Sequence, residues 1–568
     1  MSHSRSLIAL FVLGGASLAC AEPRPAEGQT QALPRPWDPQ LGGRLRVAPD
    51  RRIRDPLGRE VLLRGVNVGK KSGDLLPPHS AADVASLVKA TGINFVRLYV
   101  SWRGIEPQPN VYDPAYLDGI ATQVKRWNAR RVYVLIDMHQ DLWGGTFAGH
   151  GAPEWATLGG KSTVKAVDGP WQLRYADPAV WRSFEALWSN QRVPATGKGL
   201  QDHLAGAWVA LVKRLQGRPG IVGYDLLNEP FFGAEVEREL KGIGIGALRP
   251  AAKIGLRATA KATFRGLVSQ LDPHPTLLPD PLRLGRAVGA AKRGFLQGLD
   301  EAARDPKLFQ ESLAALGPAN TRFAARLSRF YSRVGGAVQA ADPEGLLFVE
   351  PMALSGIGVP SRMPRPSLRN LVYAPHLYDA FVDSGQAWDG KPERITAALW
   401  AHRAEAKRLG AALVLGEWGN AHRHEGLEGF LGATAKLVNR AGVSAAYWDH
   451  EPGEERGESF LKAVGPYPRR VAGTLRTFMT RPGRFATIYA PSSAPLAGPT
   501  VLVVPKHSFP HGVRVSTPTR IRASWRYDAT RDLLLVRCPP GSKGVMIVIV
   551  EPGEPGAPTS GVTTREVR

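Results

Sequence analysis

Eight short, almost wholly apolar runs recur along this chain, and most are followed by a stretch with helical periodicity. The runs lie at 62–67, 94–99, 132–137, 222–227, 346–350, 371–374, 412–416 and 444–448. Alternating polar residues mark a sheet with one wet face. Near-continuous apolar runs mark strands buried on both faces, as in parallel sheets wrapped by helices. Helical patterns occupy 81–90, 115–129, 203–216, 393–409 and 427–441 between them. Eight such units are what a closed (β/α)8 barrel requires, so an α/β TIM barrel is the expected fold.

The barrel does not account for all 568 residues. We place it over 44–480, with a helical insertion at 233–345 that contains helical stretches at 251–271 and 319–341. The insertion falls on the face where barrel sites lie, so it is either a lid or platform, or a bulky structural helical pair. Beyond about 480, short runs at 501–504, 513–515, 523–527, 533–536 and 545–550 are separated by turn residues alone. They predict a small antiparallel β-sandwich over 481–555, followed by a tail at 556–568.

The N-terminus has the form of a targeting segment. Arg5 precedes an apolar run, Leu7 to Leu13, too short to span a bilayer, so 1–21 reads as a signal peptide and 22–43, rich in Pro, as a linker. Ala19-Cys20-Ala21 fits a cleavage site, and Ser17-Leu18-Ala19-Cys20 resembles a lipobox that would leave a lipid anchor on Cys20. A secreted, periplasmic or outer-surface protein is expected under either. The second cysteine, Cys538, then has no partner for a disulfide.

The formal charge is +23, but Arg and Lys are scattered and the basic clusters are short, such as Arg51-Arg52 and Arg469-Arg470. No nucleic-acid module is recognisable, so a nucleic-acid partner is not expected. A basic surface is either solvated or attracted to anionic lipid and acidic glycans. A monomer is expected.

Catalytic side chains of such barrels project from the C-terminal ends of strands. There the sequence places Asn67, Arg97, His139, Asn228 with Glu229, His376 with Tyr378, Glu417, and Trp448. Glycoside hydrolysis needs two carboxyl groups flanking one bond, one protonated to donate and one ionised to attack. Glu229 and Glu417 follow the fourth and seventh strands and suit those tasks. Arg97 could keep a neighbouring carboxylate ionised, His376 and Tyr378 could orient it, Asn228 could hold a sugar hydroxyl, and Trp448 could floor a sugar subsite. No metal spacing beyond His422-x-His424, no dinucleotide fingerprint and no nucleophile elbow is found, so neither metal nor cofactor is called for.

The segments Arg64-Gly65-Val66-Asn67, Leu227-Asn228-Glu229-Pro230, His376-Leu377-Tyr378 and Gly416-Glu417-Trp418 occur in an order that resembles glycoside hydrolase family five of the clan A barrels. The resemblance implies a retaining double displacement with Glu229 as acid/base and Glu417 as nucleophile. Asp137-Met138-His139-Gln140-Asp141, Gly151-Ala152-Pro153-Glu154-Trp155-Ala156 and Val68-Gly69-Lys70-Lys71 resemble its endoglycoceramidase branch, as does the appended sandwich. That branch cuts between glycan and ceramide. It implies sugar contacts at His139, Asp141, Asn228, Trp448 and one of Lys70 or Lys71. A glycosphingolipid substrate and peripheral membrane contact are therefore expected. The rival keeps the chemistry and changes the aglycone: a glucosylceramidase, a steryl glucosidase or a β-1,4-glycanase. A non-catalytic glycan- or membrane-binding protein is a third class, which loss of one carboxylate would have favoured.

Overall fold

A computed structural model describes residues 43–162, 177–218, 220–233, 321–383, 387–419, 425–493 and 498–554, with 174, 175, 496 and a last strand, Val562–Val567. The expected signal segment with Cys20, the linker, the helical stretch 251–271 and the pair His422 and His424 lie outside these residues.

All eight runs form the strands of one closed parallel barrel. They are β4 (Arg64–Val68), β5 (Phe95–Val100), β6 (Tyr133–Met138), β7 (Ile221–Asp225), β8 (Leu346–Val349), β9 (Leu371–Tyr373), β10 (Ala412–Trp418) and β11 (Ser444–Tyr447). The barrel closes where Ala445 of β11 pairs with Arg64 of β4. Helices Ala81–Thr91, Pro114–Ala129, Leu200–Leu215, Thr321–Ala341, Glu393–Leu409 and Leu427–Ala441 follow the strands. The first begins at a capping box, with Ser80 and Asp83 each satisfying the other's backbone N–H, and ends at Gly92, whose left-handed φ of 68° suits a residue without Cβ.

The helix Thr321–Ala341 corrects one expectation. Placed in the insertion by sequence, it buries Phe323, Leu327, Phe330, Tyr331, Val334 and Val338 and packs against Leu200–Leu215 as a wall helix of the barrel.

The strands bury both faces, and the two faces enter different cores. Val96, Leu98, Val134, Ile136, Leu347 and Val349 face the helices. Phe95, Leu135, Phe348, Val372, Val414 and Ala446 fill the lumen. Because side chains alternate, the lumen face continues upward from Phe95 to Arg97, from Leu135 to Asp137 and from Phe348 to Glu350. The apolar floor of the barrel thus gives way to charge at the strands' C-terminal ends.

The antiparallel domain is larger than its sequence signal. It consists of β1 (Arg46–Val47), β2 (Ile53–Arg54), β3 (Glu60–Val61), β12 (Tyr467–Val471), β13 (Gly473–Arg481), β14 (Arg484–Pro491), β15 (Thr500–Val503), β16 (Val513–Ser516), β17 (Ala523–Asp528), β18 (Leu533–Arg537), β19 (Met546–Pro552) and β20 (Val562–Val567). One sheet has the order β1-β2-β3-β12-β15-β18-β17-β20 and the other β13-β14-β19-β16. Its strands from the barrel onward begin at β12 (Tyr467–Val471) and the hairpin β13–β14 (Gly473–Arg481, Arg484–Pro491), so the change of architecture precedes 480. Three short strands ahead of the barrel, β1 (Arg46–Val47), β2 (Ile53–Arg54) and β3 (Glu60–Val61), also join the first sheet, β3 pairing with β12. The tail contributes β20, Val562–Val567, paired with β17, Ala523–Asp528. The boundaries at 44, 480 and 556 are therefore displaced. Among the described residues no helix is long and apolar enough to cross a membrane.

Candidate active site

Arg97 is the hub. Its side chain is fully buried and forms ion pairs with four carboxylates: Asp137 at 3.0 Å, Asp225 at 2.9 Å, Glu350 at 2.7 Å and Glu417 at 2.7 Å. Nη1 also donates to Asn67 at 3.1 Å and Nη2 to Asn228 at 2.9 Å. Burial disfavours the guanidinium, but the surrounding carboxylates outweigh it and hold its pKa well above the usual value. Burial and the neighbouring Glu350 push the Asp225 carboxyl well above the carboxylate range despite Arg97.

Glu417 reaches the lumen through an irregularity in β10. Its pairing with β11 shifts register between Leu415 and Trp418. Leu415 and Trp418 both face the helices, so the extra residue turns Glu417 inward. Glu417 Oε1 accepts from Arg97, and Oε2 accepts from the Tyr378 hydroxyl at 2.8 Å. Two donors, one of them cationic, are a set that suits an anion.

Among the described residues no guanidinium pairs with Glu229. Its Oε1 lies 2.8 Å from His376 Nδ1, and its side chain is 20% exposed against 6% for Glu417. It is accessible to a departing oxygen and to water. Its backbone is left-handed, with φ of 41°, which is costly for a residue with a long side chain. Two bonds hold it there: Gln140 Nε2 to its carbonyl at 2.9 Å, and its N–H to Glu350 Oε2 at 2.8 Å.

His376 stands between the pair, 2.8 Å from Glu229 and 3.3 Å from Glu417 through Nδ1, with Nε2 3.2 Å from Glu350. Burial lowers its pKa, but Glu350 and Glu417 outweigh this and hold it well above 6.5. One carboxylate oxygen of Glu229 and one of Glu417 lie within 4.8 Å of one another. So close an approach suits direct attack by one carboxylate, for which the two carboxyl groups stand about 5 to 5.5 Å apart.

A polar and aromatic wall completes the rim. Lys71 Nζ pairs with Asp141 at 2.6 Å and sits 4.6 Å from the Trp448 ring centroid. Trp448 stacks on His139, with centroids 5.5 Å apart and planes 9° from parallel. His139 Nδ1 bonds Asp137 at 2.8 Å, leaving Nε2 3.5 Å from Asp141. The two adjacent lysines differ in placement. Lys71 faces the site, whereas Lys70 pairs with Asp74 on the surface at 2.8 Å.

Every other residue expected from the sequence is brought to this rim. The sequence does not single out Glu350, Asp137 or Asp225. Asp137 and Glu350 each continue a lumen-facing alternation past an apolar residue, Leu135 and Phe348, which is the available signal, whereas Asp225 follows Gly223 and carries none. Two groups of three among the described residues could hold a cation, Glu229 with His376 and Glu417, and Asp137 with Asp225 and Glu350. Arg97 already reaches all three acids of the second group.

Residues 55–243 and 316–454 match the cellulase model of glycosyl hydrolase family 5, and residues 466–550 match the model of the family 5 C-terminal domain. The chain belongs to glycosyl hydrolase family 5. Endoglycoceramidase I of Rhodococcus hoagii is 37% identical over 183 residues, covering 32% of this chain and 36% of that protein. An endoglycoceramidase of Hydra vulgaris is 27% identical over 207 residues, covering 32% and 39%. The matched segments thus span less than two fifths of these curated relatives. Endo-glycoceramidase II from Rhodococcus sp., solved as a ganglioside GM3 complex, superposes with a TM-score of 0.65 at 25% identity over 88% of this chain and 99% of that one. The family-five match covers both the barrel and the antiparallel domain.

Proposed function

We propose that this family-five protein is a retaining β-glycosidase that cuts glycosphingolipids between glycan and ceramide. The observation that carries the chemistry is the close approach of the two carboxylates, one oxygen of Glu229 lying within 4.8 Å of one oxygen of Glu417. Glu417 attacks the anomeric carbon while Glu229 protonates the leaving oxygen. A glycosyl ester forms on Glu417, and Glu229 then takes a proton from the water that hydrolyses it. Arg97 and Tyr378 hold the nucleophile. Lys71, Asp141, His139, Asn228 and Trp448 form a polar, aromatic-floored recess for the sugar.

The lipid aglycone is supported by the ceramide-directed relatives and by an aromatic pair beyond the acid/base. Phe231, two residues after Glu229, packs on Tyr175 with centroids 4.4 Å apart, and both are partly exposed. An apolar surface there suits a leaving group that is a lipid. Export through the N-terminal segment, with or without a lipid on Cys20, and peripheral contact of a monomer with membranes through its basic surface complete the proposal.

Mass spectrometry of products from a mixed glycosphingolipid pool tests it. Intact oligosaccharides with free ceramide are expected. Release of single sugars, or cleavage of cellulose and mannan alone, would overturn the ceramide-side assignment.

A further inference from the structure

One carboxylate in the site has no task in a two-glutamate mechanism or in sugar binding. Glu350 stands at the C-terminal end of β8, with its side chain 2% exposed. Oε1 accepts from Arg97 at 2.7 Å and faces His376 Nε2 at 3.2 Å. Oε2 accepts the backbone N–H of Glu229 at 2.8 Å. Its own backbone is anchored to Tyr331, whose hydroxyl donates to the Glu350 carbonyl at 2.9 Å and accepts its N–H at 3.2 Å. This one side chain touches the backbone of the acid/base and the imidazole that bridges both reacting carboxylates.

We propose that Glu350 is a positioning residue of the glycosidase reaction, holding Glu229 in its left-handed turn and orienting His376 between Glu229 and Glu417. The inference rests on the assignment of Glu229 and Glu417 above, and not on the lipid aglycone. Two physical consequences follow. Without the bond from its N–H, the turn at Glu229 keeps only Gln140 against a backbone conformation that long side chains disfavour. Without the negative charge, His376 loses the carboxylate at Nε2. The groups facing Glu350 and His376 are Arg97 from β5, Asp137 from β6, Asp225 and Glu229 from β7 and beyond, Tyr331 and His402 from the wall helices, Tyr373 and Tyr378 beside β9, and Glu417 from β10. An uncharged group at 350 lowers the pKa of any acid beside it, because one fewer anion opposes proton loss. The alkaline limb of the pH–rate profile must therefore move toward lower pH.

The test compares phenyl and 2,4-dinitrophenyl β-lactosides, whose leaving groups do and do not need protonation. Glu350→Gln should lower kcat on the phenyl substrate by about 10²-fold and on the dinitrophenyl substrate by less than about tenfold, with KM little changed. Its alkaline limb should shift acidward, and Glu350→Asp should restore the limb but not the full rate. Equal loss on both substrates, or an unmoved limb in a variant with unchanged melting temperature, would overturn the proposal. Should Glu350→Gln not fold, the leaving-group selectivity of Glu350→Asp decides in the same way. Glu229→Ala runs alongside. If it shows no preference for the activated substrate, the acid/base assignment fails; if it does and the Glu350 variants do not, only the role of Glu350 fails.

Discussion

Tyr378 contributes one hydrogen bond to Glu417, on the oxygen that Arg97 does not hold. Its loss in Tyr378→Phe should reduce kcat/KM by about tenfold, the effect of one hydrogen bond to a charged group. Lys71→Met should act differently. It leaves Asp141, held low by Lys71 and His139 against its burial, without its closest cation. KM for lactosyl substrates should rise about tenfold or more with a smaller effect on kcat, if the proposed recess holds the sugar and not the reacting atoms. Steady-state kinetics on both variants checks this, and a kcat-only loss in Lys71→Met would contradict the placement. At this scale the sequence was most informative where a polar residue ended an apolar run. Glu229 and Glu417 stand out for that reason, and Arg97 as the charge inside an otherwise apolar run. Asp137 and Glu350 are the last residues of their predicted strands, and nothing in the sequence separates such an acid from a structural one until its neighbours are known.

At the scale of elements, the barrel strands and wall helices were legible because double burial leaves an unbroken apolar run and one buried helix face leaves a 3.6-residue period. The strands β1 to β3 carry no such pattern, since two residues cannot show a period. The hairpin β13–β14 carried a usable signal, Pro482-Gly483 between alternating strands, and it belongs to the sandwich. Loops between elements hold a further consequence. His79, ahead of Ala81–Thr91, and His450, just after β11, meet at 3.1 Å, and burial pushes both down to about 4, His79 further disfavoured by His450. Their folded pKa values lie below the unfolded value near 6.5, so the unfolded chain binds more protons as pH falls. Stability should therefore decline from about pH 6.5 to 4 and level off below. The melting temperature of a His79→Asn, His450→Gln double variant should fall less over that window; an identical slope would contradict the pair's role.

At the scale of the molecule, the antiparallel domain is built into the barrel's base. The chain enters it through β1 to β3, forms the barrel, and returns through β12. Buried Asp55 bonds Arg59 at 2.7 Å and lies 3.3 Å from Arg470, joining the two passes. Tyr467 donates to the Gly92 carbonyl at 2.9 Å and Arg469 to that of Arg131 at 3.0 Å. Arg470→Met leaves a buried carboxylate with one partner fewer and should cost about 3 kcal/mol, as breaking a buried ion pair does. Denaturant unfolding measures it. Truncation after residue 465 strips β3 of its partner β12 and leaves only β1 to β3 of that sheet, so that product should be insoluble or unfolded; a folded, active fragment would contradict this integration. The sequence suggested an appended module because the pairing of residues before and after the barrel leaves no trace in either segment alone.

The central claim is that Glu417 carries the glycosyl group while Glu229 handles the proton. Incubation with a 2-deoxy-2-fluoro β-lactoside bearing a dinitrophenyl leaving group slows hydrolysis of the covalent ester and lets it accumulate. Peptide mass mapping should find one fluorolactosyl adduct, on the peptide containing Glu417, and none in Glu417→Ala. An adduct on Glu229 or elsewhere, or turnover with inversion at the anomeric carbon, would contradict the account.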